Sequence, residues 1–374
     1  MRILHTADLH LKNPASPEGA RRLAVLAEIC ALARDFDALA ICGDLFDSAA
    51  EASSLETQLR QTFAPLAVPV LIIPGNHDFL RGDDPFSGRL DIGQSANVRI
   101  LRKPPFETFQ LGPALFYGFP FARSASSSEL FRELGVASAP VKIALMHGVA
   151  CDRAELAGWA YDPENAEEGG ELLIRDRDLG AAGFSAALLG HIHRFAQWDA
   201  DGCLASYCGS PDAVRITEDG PHTVNAVTAE EGNVSLARLP LKSARSARRE
   251  RIFVFPGDES ALADRLDSLA RANPPDRLLG IVIEGIADAA RVKEAAAAAR
   301  ARWSALPDGG PEISVKAEDT RSRAADMIMF SFLRRARENA AAAQTPAAQD
   351  MARRVAFLGW RALTGAGADP DELL

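Results

Sequence analysis

The sequence predicts an α/β fold of two packed mixed sheets with helices outside. Three observations lead there. Short apolar runs alternate with stretches of helical periodicity through the first half of the chain. The first three runs each end in a polar loop (Asp8-Leu9-His10, Gly43-Asp44, Gly75-Asn76-His77-Asp78), the rhythm of parallel strands joined by right-handed crossovers. Two hairpin signals, Ala200-Asp201-Gly202 and Glu231-Gly232-Asn233, follow later and supply antiparallel edges.

Taken in order, Arg2–Ala7 reads as a strand, and Pro17–Arg34 as a helix with Leu23, Leu26, Ile29, Cys30 and Ala33 on one face. Asp37–Cys42 is a second strand, residues 52–65 a helix, and Val68–Ile73 a third strand. Further strands are expected at Ala114–Phe119, Val141–Met146 and Ala186–Leu189. Ala196–Asp199 with Leu204–Cys208, and Thr223–Thr228 with Val234–Leu239, complete the two hairpins. Leu241–Glu250 (LKSARSARRE) is basic and rich in Ser and Ala, so it reads as a linker closing a first domain at residues 1–240. Residues 251–318 hold a small β-α-β-α-β unit: Ile252–Phe255, 259–272, Leu278–Glu284, 288–303 and Ile313–Lys316. Residues 319–374 read as a helical hairpin, about 320–340 and 347–364, divided at Thr345-Pro346.

At 374 residues the chain suits two or three domains. No stretch approaches the ~18 apolar residues of a membrane span, and the start lacks the apolar run of a signal peptide. Five cysteines, odd in number and never spaced C-x-x-C, read as reduced thiols of a cytoplasmic protein. The net charge of −10 excludes a protein that holds nucleic acid by bulk basic charge. That acidity is local: residues 1–240 carry 20 Lys and Arg against 32 Asp and Glu, residues 241–374 carry 21 against 19.

Five of the seven histidines fall at or just beyond strand ends, where α/β proteins place ligands. The ordered set is Asp8-x-His10, Gly43-Asp44, Gly75-Asn76-His77-Asp78, Met146-His147-Gly148 and Gly190-His191-x-His193. The i, i+2 pairs place both side chains on one side of an extended segment. Asp and His are ligands for Mn²⁺, Fe²⁺ or Zn²⁺, and Asn76 adds a neutral oxygen. Seven ligand-type residues exceed the needs of one ion; two ions sharing a carboxylate would use them all and clamp an in-line phosphoryl displacement.

This order of motifs resembles the calcineurin-like metallophosphoesterases over residues 1–240. Arg2-Ile3-Leu4-His5-Thr6-Ala7-Asp8-Leu9-His10, Gly43-Asp44-Leu45-Phe46-Asp47 and Tyr207-Cys208-Gly209-Ser210 resemble the DNA-repair exonuclease branch, the SbcD-type nuclease subunits. The resemblance implies the four-layer metallophosphoesterase sandwich, with a small α+β capping domain and a C-terminal helical hairpin. It implies that one metal takes Asp8, His10, Asp44 and His193, and a second takes Asp44, Asn76, His147 and His191. The ions would be Mn²⁺ first, with Fe²⁺ or Zn²⁺ also suited. His77 would stabilise the developing charge or protonate the leaving oxygen, with Asp78 orienting it or fixing the loop. The implied activity is DNA exonuclease or endonuclease cleavage, as the nuclease subunit of a repair complex. The implied partner is an SMC-like coiled-coil ATPase gripped by the C-terminal helices, and dimerisation is a further family property. The chain departs from the branch at Asp47, where some relatives place His, and at Ser48-Ala49-Ala50-Glu51, which replaces a proline-containing turn.

Two other functions compete: hydrolysis of a nucleotide or other small phosphoester, which the acidity of residues 1–240 favours, and a non-catalytic scaffold, which the filled ligand set opposes. Among the remaining residues, His5 reads as buried, His222 as solvated beside Pro221, and Cys42 and Cys208 as packing. The acidic loop of Glu164, Glu167, Glu168 and Glu171 reads as a solvated face. Lys242, Arg245, Arg248 and Arg249 are the candidate contacts to a DNA backbone. Met327, Ile328, Phe330, Phe332 and Leu333, with Val355, Ala356, Leu358 and Leu363, make the hairpin's apolar stripes, available to a partner or to the capping domain.

Overall fold

The computed structural model of the chain describes residues 1–78, 97–134, 139–153, 155–156, 170–218, 220–230, 232–274, 276–303, 310–319 and 327–364. The chain divides into two units. The first comprises Met1–Val214 with Gly220–Ser246, the second Arg215–Asp219 with Ala247–Leu374.

The first unit runs β1 (Arg2–Thr6), α1 (Pro17–Ala33), β2 (Ala38–Cys42), α2 (Ala49–Phe63), β3 (Val70–Ile73), β4 (Val98–Ile100), β5 (Glu107–Leu111) and β6 (Ala114–Gly118). It continues with α3 (Ser127–Leu130), β7 (Val141–His147), β8 (Val149–Ala150), β9 (Leu173–Ile174), α4 (Asp176–Ala181) and β10 (Ala186–Gly190). The hairpins β11 (Ala196–Ala200) with β12 (Cys203–Tyr207) and β13 (Thr223–Glu230) with β14 (Asn233–Pro240) follow. Two six-stranded sheets result, ordered β14-β13-β1-β2-β3-β4 and β11-β12-β10-β7-β6-β5. In each, four adjacent strands are parallel: β1 to β4 in the first, and β12, β10, β7 and β6 in the second.

Strand alternation sorts the side chains into three layers of core. In β2, Leu39 and Ile41 pack with Leu26, Ile29, Leu55 and Leu59 of the covering helices α1 and α2. Ala38, Ala40 and Cys42 point the other way, onto Phe116, Ile143, Leu145, Ala186 and Leu188 of the second sheet. That sheet's outer face, Ala144, Met146, Ala187 and Leu189, is closed by Leu130, Leu179 and Phe184. The layers are helix, sheet, sheet, helix. Alanines on the inner faces let the two sheets approach closely. Helix α1 starts on Ser16, whose hydroxyl accepts the Gly19 N–H at 3.0 Å, with Pro17 in the first turn.

The second unit holds β15 (Ser246–Val254), α5 (Glu259–Ala272), β16 (Arg277–Ala287), α6 (Ala289–Trp303), β17 (Glu312–Val315), β18 (Glu318–Asp319), α7 (Met327–Ala342) and α8 (Pro346–Thr364). The sheet order is β15-β16-β17, with β18 also on β16. One face packs Ile252, Val254, Ile281 and Ile283 on Leu262, Leu266, Val292 and Ala296 of α5 and α6. The other packs Phe253 and Ile286 on Phe357, Trp360, Phe332 and Leu333 of the helical pair. The helices expected as a separate hairpin therefore cover the sheet of the small α/β unit. Of the expected stripes, Ala356 is buried, whereas Val355 and Leu363 are exposed; the side chains of Met327, Ile328 and Phe330 lie outside the described residues.

The expected linker Leu241–Glu250 differs. Lys242 and Ser243 are tied down by their N–H groups, which donate to the Glu28 carboxylate at 2.9 and 2.8 Å. From Ser246 onward the segment is strand β15. It is an edge strand whose Arg248, Arg249 and Arg251 are exposed, and those charges make its sequence look like a linker. Among the described residues no helix is long and apolar enough to cross a membrane.

Candidate metal centre

The motif residues cluster where the fold requires it. Asp8 and His10 follow β1, Asp44 follows β2, Asn76, His77 and Asp78 follow β3, His147 ends β7, and His191 and His193 follow β10. All five are C-terminal ends of parallel strands, three from one sheet and two from the other. The loops are tightly formed. Asp8, His10, Asp44 and His191 adopt positive φ of 55°, 44°, 50° and 100°, a region that costs a non-glycine residue about 1–3 kcal/mol. A ladder between the β1 and β2 loops holds three of them there: Asp8 N–H donates to Gly43 O at 3.1 Å, His10 N–H to Asp44 O at 3.0 Å, and Leu11 N–H to Leu45 O at 2.9 Å. Close approach requires glycine at two positions. A Cβ on Gly43 would lie 2.1 Å from His147 Nδ1, and one on Gly190 would lie 2.0 Å from Cys42 O.

Two groups of donors meet at Asp44. In the first, Nε2 of His10 and Nε2 of His193 are 3.1 Å apart, with Asp44 Oδ2 3.7 Å from the former. Asp8, His10 and His193 each offer one ligand atom within 4.8 Å of the others. In the second, His147 Nε2 lies 2.9 Å from Asn76 Oδ1 and 3.3 Å from Asp44 Oδ2, and His191 Nδ1 lies 3.1 Å from Asn76 Oδ1. His10, Asp44 and His77 form a further group of the same compactness.

The second group tests whether a cation belongs there. His147 Nδ1 faces the Cys42 carbonyl at 2.9 Å, and a carbonyl only accepts, so this nitrogen carries the hydrogen. In the neutral ring, Nε2 then presents a lone pair to two oxygens, Asn76 Oδ1 and Asp44 Oδ2. A lone pair facing two oxygen acceptors calls for a positive charge among them. The titration behaviour agrees. Burial alone would lower His147, yet Asp44 and Asp8 beside it raise it to about 9. Burial would raise Asp44, yet His147, His77 and His10 hold it well below the usual carboxylate range. Burial raises Asp8 to about 6, against the pull of His193 and His147. His191 is lowered to about 3 by burial and by His147. In the metal-free protein a proton on His147 stands where a divalent ion fits, and the donor set suits one.

Around the donors sit residues that position them. The Asp78 carboxylate accepts N–H groups from Gly75 at 2.9 Å, Phe46 at 3.1 Å and Leu45 at 3.3 Å, and burial with the nearby Asp44 charge raises it to about 7. Its oxygens are thus committed to backbone and lock the β2 and β3 loops together, so the expected role in orienting His77 gives way to fixing the loop. The group that orients His77 is the Asp47 carbonyl, which accepts from Nδ1 at 2.9 Å and leaves Nε2 to face the site. The Asp47 carboxylate lies 3.8 Å from His10 Nδ1 and 3.4 Å from Arg22 Nη1. Arg22 is buried, donates to the His10 carbonyl, and pairs with Glu18 at 2.5 Å. A trace of this is visible in the sequence: Arg22 precedes Leu26 and Ile29 by four and seven residues, which puts a cation on the helix face that turns inward. Tyr207 is another such residue. Fully buried, it donates to Gly148 O and accepts from Ala150 N–H, both at 2.8 Å, and so clamps the turn after His147.

Other expected residues sort as follows. His5 is buried, as expected, and desolvation lowers it to about 3. Cys42 and Cys208 are buried between the sheets. His222 is buried rather than solvated, its Nδ1 donating to Ser210 O at 2.8 Å. Arg245 is also buried; its backbone N–H binds Asp212 at 2.6 Å and its guanidinium reaches Ala213 O, so it is not offered to a nucleic acid. Lys242, Arg248 and Arg249 are exposed, the first in one unit and the other two in the other. Glu164, Glu167 and Glu168 lie outside the described residues, whereas Glu171 Oε2 lies 3.3 Å from His191 Nε2.

Comparison with known proteins adds the lineage. The family model for calcineurin-like phosphoesterases matches residues 1–195. The chain is 27% identical over 255 residues to the uncharacterized metallophosphoesterase YhaO of Bacillus subtilis, covering 62% of this chain and 58% of that one. It is 27% identical over 254 residues to the DNA double-strand break repair protein Mre11 of Haloferax volcanii, covering 65% and 52%. It is also 27% identical over 268 residues to one of the subunits of the nuclease SbcCD of Bacillus subtilis, covering 62% and 67%. The match spans between half and two thirds of the length of these relatives. Family and donor clusters together support the binding of divalent metal. With the motif order, the two mixed sheets and the family match in agreement, the chain belongs to the calcineurin-like phosphoesterases.

Proposed function

We propose that the chain hydrolyses DNA phosphodiester bonds by a two-metal, in-line mechanism, as the nuclease subunit of a repair complex. The observation that carries this is the convergence of Asp8, His10, Asp44, Asn76, His147, His191 and His193 from five strand ends onto two donor groups sharing Asp44. Divalent ions held there, Mn²⁺ first by the mix of imidazole, carboxylate and amide oxygen, would polarise the phosphoryl group and acidify the attacking water. Asp44 is the shared ligand in this reading, with Asp8, His10 and His193 on one side and Asn76, His147 and His191 on the other.

The remaining chemistry falls to His77. With Nδ1 committed to the Asp47 carbonyl, Nε2 is the nitrogen left to hand a proton to the leaving oxygen. The relatives named for nuclease and break-repair functions support DNA as the substrate. The resemblance to SbcD-type nuclease subunits supports an SMC-like coiled-coil ATPase as a partner for the C-terminal helices, and a homodimer is consistent with the family. The five unpaired thiols support a reducing, cytoplasmic setting. The acidity of residues 1–240 favours a second reading, hydrolysis of a small phosphoester, because nothing in that charge attracts a polyanion beyond the metal centre.

The test uses purified protein with Mn²⁺ and linear duplex DNA. His77→Ala is expected to lower cleavage by about 10²–10⁴-fold, the usual worth of a general acid, while keeping full Mn²⁺ stoichiometry. Loss of one Mn²⁺ equivalent in that variant would instead make His77 a ligand. Intact DNA alongside turnover of bis-p-nitrophenyl phosphate would favour the small-phosphoester reading. No hydrolysis of any phosphoester would refute both.

A further inference from the structure

We propose that Arg238 forms a subsite for a DNA phosphate flanking the scissile one. The inference rests on the nuclease reading and places a substrate contact outside the metal centre. Arg238 lies on β14, the edge strand of the first sheet, opposite Asn225 of β13. Asn225 in turn lies opposite His5 of β1, three residues before Asp8. Phe195 stands two residues after His193, just ahead of β11, the edge strand of the second sheet. The Arg238 guanidinium sits over the Phe195 ring, 4.3 Å from its centroid. Two residues of chain span at most about 7 Å, so the stacked pair stands beside the loop that delivers His191 and His193.

The guanidinium is fixed in place but not used up. Its Nε–H donates to Thr223 Oγ1 at 3.1 Å, and Nη2 donates to the Pro221 carbonyl at 3.3 Å. Arginine carries five N–H groups, so both on Nη1 and the other on Nη2 stay uncommitted, on a side chain that is exposed. Its charge is uncommitted as well. Arg21, Arg22 and Arg153 of the same unit are each paired with a carboxylate. The partners of Arg238 are a hydroxyl, a carbonyl and an aromatic ring, all of them neutral. A guanidinium on a ring keeps its charge and its second face, and its planar fork matches the paired oxygens of a phosphate. Rotamer freedom already given up to Thr223, Pro221 and Phe195 is not lost again on binding. The acidity of residues 1–240 is a sum and does not say where one cation is held. A phosphodiester chain seated on the metal centre meets this one, whereas a small phosphoester confined to the centre does not.

The test compares the wild type, Arg238→Gln and Arg238→Lys in the full chain with Mn²⁺. On linear DNA, Arg238→Gln should raise KM about 5-fold, the worth of one exposed charge pair, with kcat unchanged. It should also reduce the slope of log(kcat/KM) against log salt by about 0.7–0.9, the share of one phosphate contact. Arg238→Lys, which keeps the charge without the fork, should retain the salt slope and give an intermediate KM. Turnover of bis-p-nitrophenyl phosphate and affinity for Mn²⁺ should match the wild type in both variants. Wild-type KM and salt slope on DNA in Arg238→Gln overturn the proposal. An equal loss on both substrates also overturns it, since the residue would then only brace the two strand edges. Fluorescence anisotropy of a labelled oligonucleotide in Ca²⁺ separates the subsite from the reaction. A wild type that binds the strand through Arg238 yet leaves it uncleaved in Mn²⁺ refutes the nuclease reading and keeps the subsite. One that neither binds nor cleaves DNA refutes both.

Discussion

Replacing Tyr207 by Phe removes one oxygen atom and nothing else, and the structure allows its effect to be worked out. The hydroxyl donates to Gly148 O and accepts from Ala150 N–H, each at 2.8 Å, in a fully buried position. Each bond contributes about 1 kcal/mol net, so the direct loss is about 2 kcal/mol. Both backbone groups then stay buried without a partner, which can raise the total to about 3 kcal/mol, partly offset because the ring no longer buries a hydroxyl. At a urea m-value of about 2–3 kcal/mol/M, the midpoint of the first unit's transition should fall by about 0.7–1.5 M with m unchanged. The clamp sits on the turn after His147, so Mn²⁺ affinity should weaken in the same variant. Urea titrations followed by circular dichroism, with and without Mn²⁺, measure both. A midpoint shift below about 0.2 M would refute the claim that this hydroxyl carries the turn, since the two bonds would then be worth less than a tenth of a typical domain's stability.

Two further predictions concern the donor groups. In EDTA, His147 has its folded pKa raised to about 9 from an unfolded value near 6.5, so its contribution to stability is complete below pH 6.5 and is lost as pH rises toward 9. The melting temperature of metal-free protein should decline over that window, and saturating Mn²⁺ should flatten the decline by taking the proton's place; an EDTA melting curve that rises through pH 9 would contradict this. Gly190→Ala places a methyl against Cys42 O and 2.8 Å from His147 Nδ1. It should cost about 1–3 kcal/mol by overpacking and weaken Mn²⁺ binding measured by calorimetry, and an alanine variant with wild-type affinity would show that the approach of these loops is not limiting.

What is legible in the sequence follows from where the information sits. Asp8 with His10, and His191 with His193, are two residues apart on extended chain, so their shared direction is a local property. The strands β2 and β3 are readable because each is apolar on both faces, as strands buried between two layers are. Asp47 is not readable as a positioning group, because what orients His77 is its backbone carbonyl, which any residue possesses. Arg22 and Tyr207 act through partners that are distant in sequence and brought close by the packing of α1 and β12. Strand β15 resembles a linker because three of its arginines, Arg248, Arg249 and Arg251, are exposed at the edge of its sheet. His222 resembles a solvated turn residue because its burial depends on Ser210, a contact made only in the folded chain.

The alanines between the sheets have a consequence beyond packing. Three of the strand ends that supply donors belong to one sheet and two to the other, so the spacing of the whole donor set is the spacing of the sheets. Ala38, Ala40 and Ala186 act as shims, and the width of a methyl group there is the tolerance to which the centre is machined. A wedge inserted far below the loops would register as a loss of metal affinity with every ligand still in place. Conversely, ions bound at the top would pull the sheets into register from above. Affinity for metal and cohesion of the two sheets are therefore one quantity measured at opposite ends of the same lever.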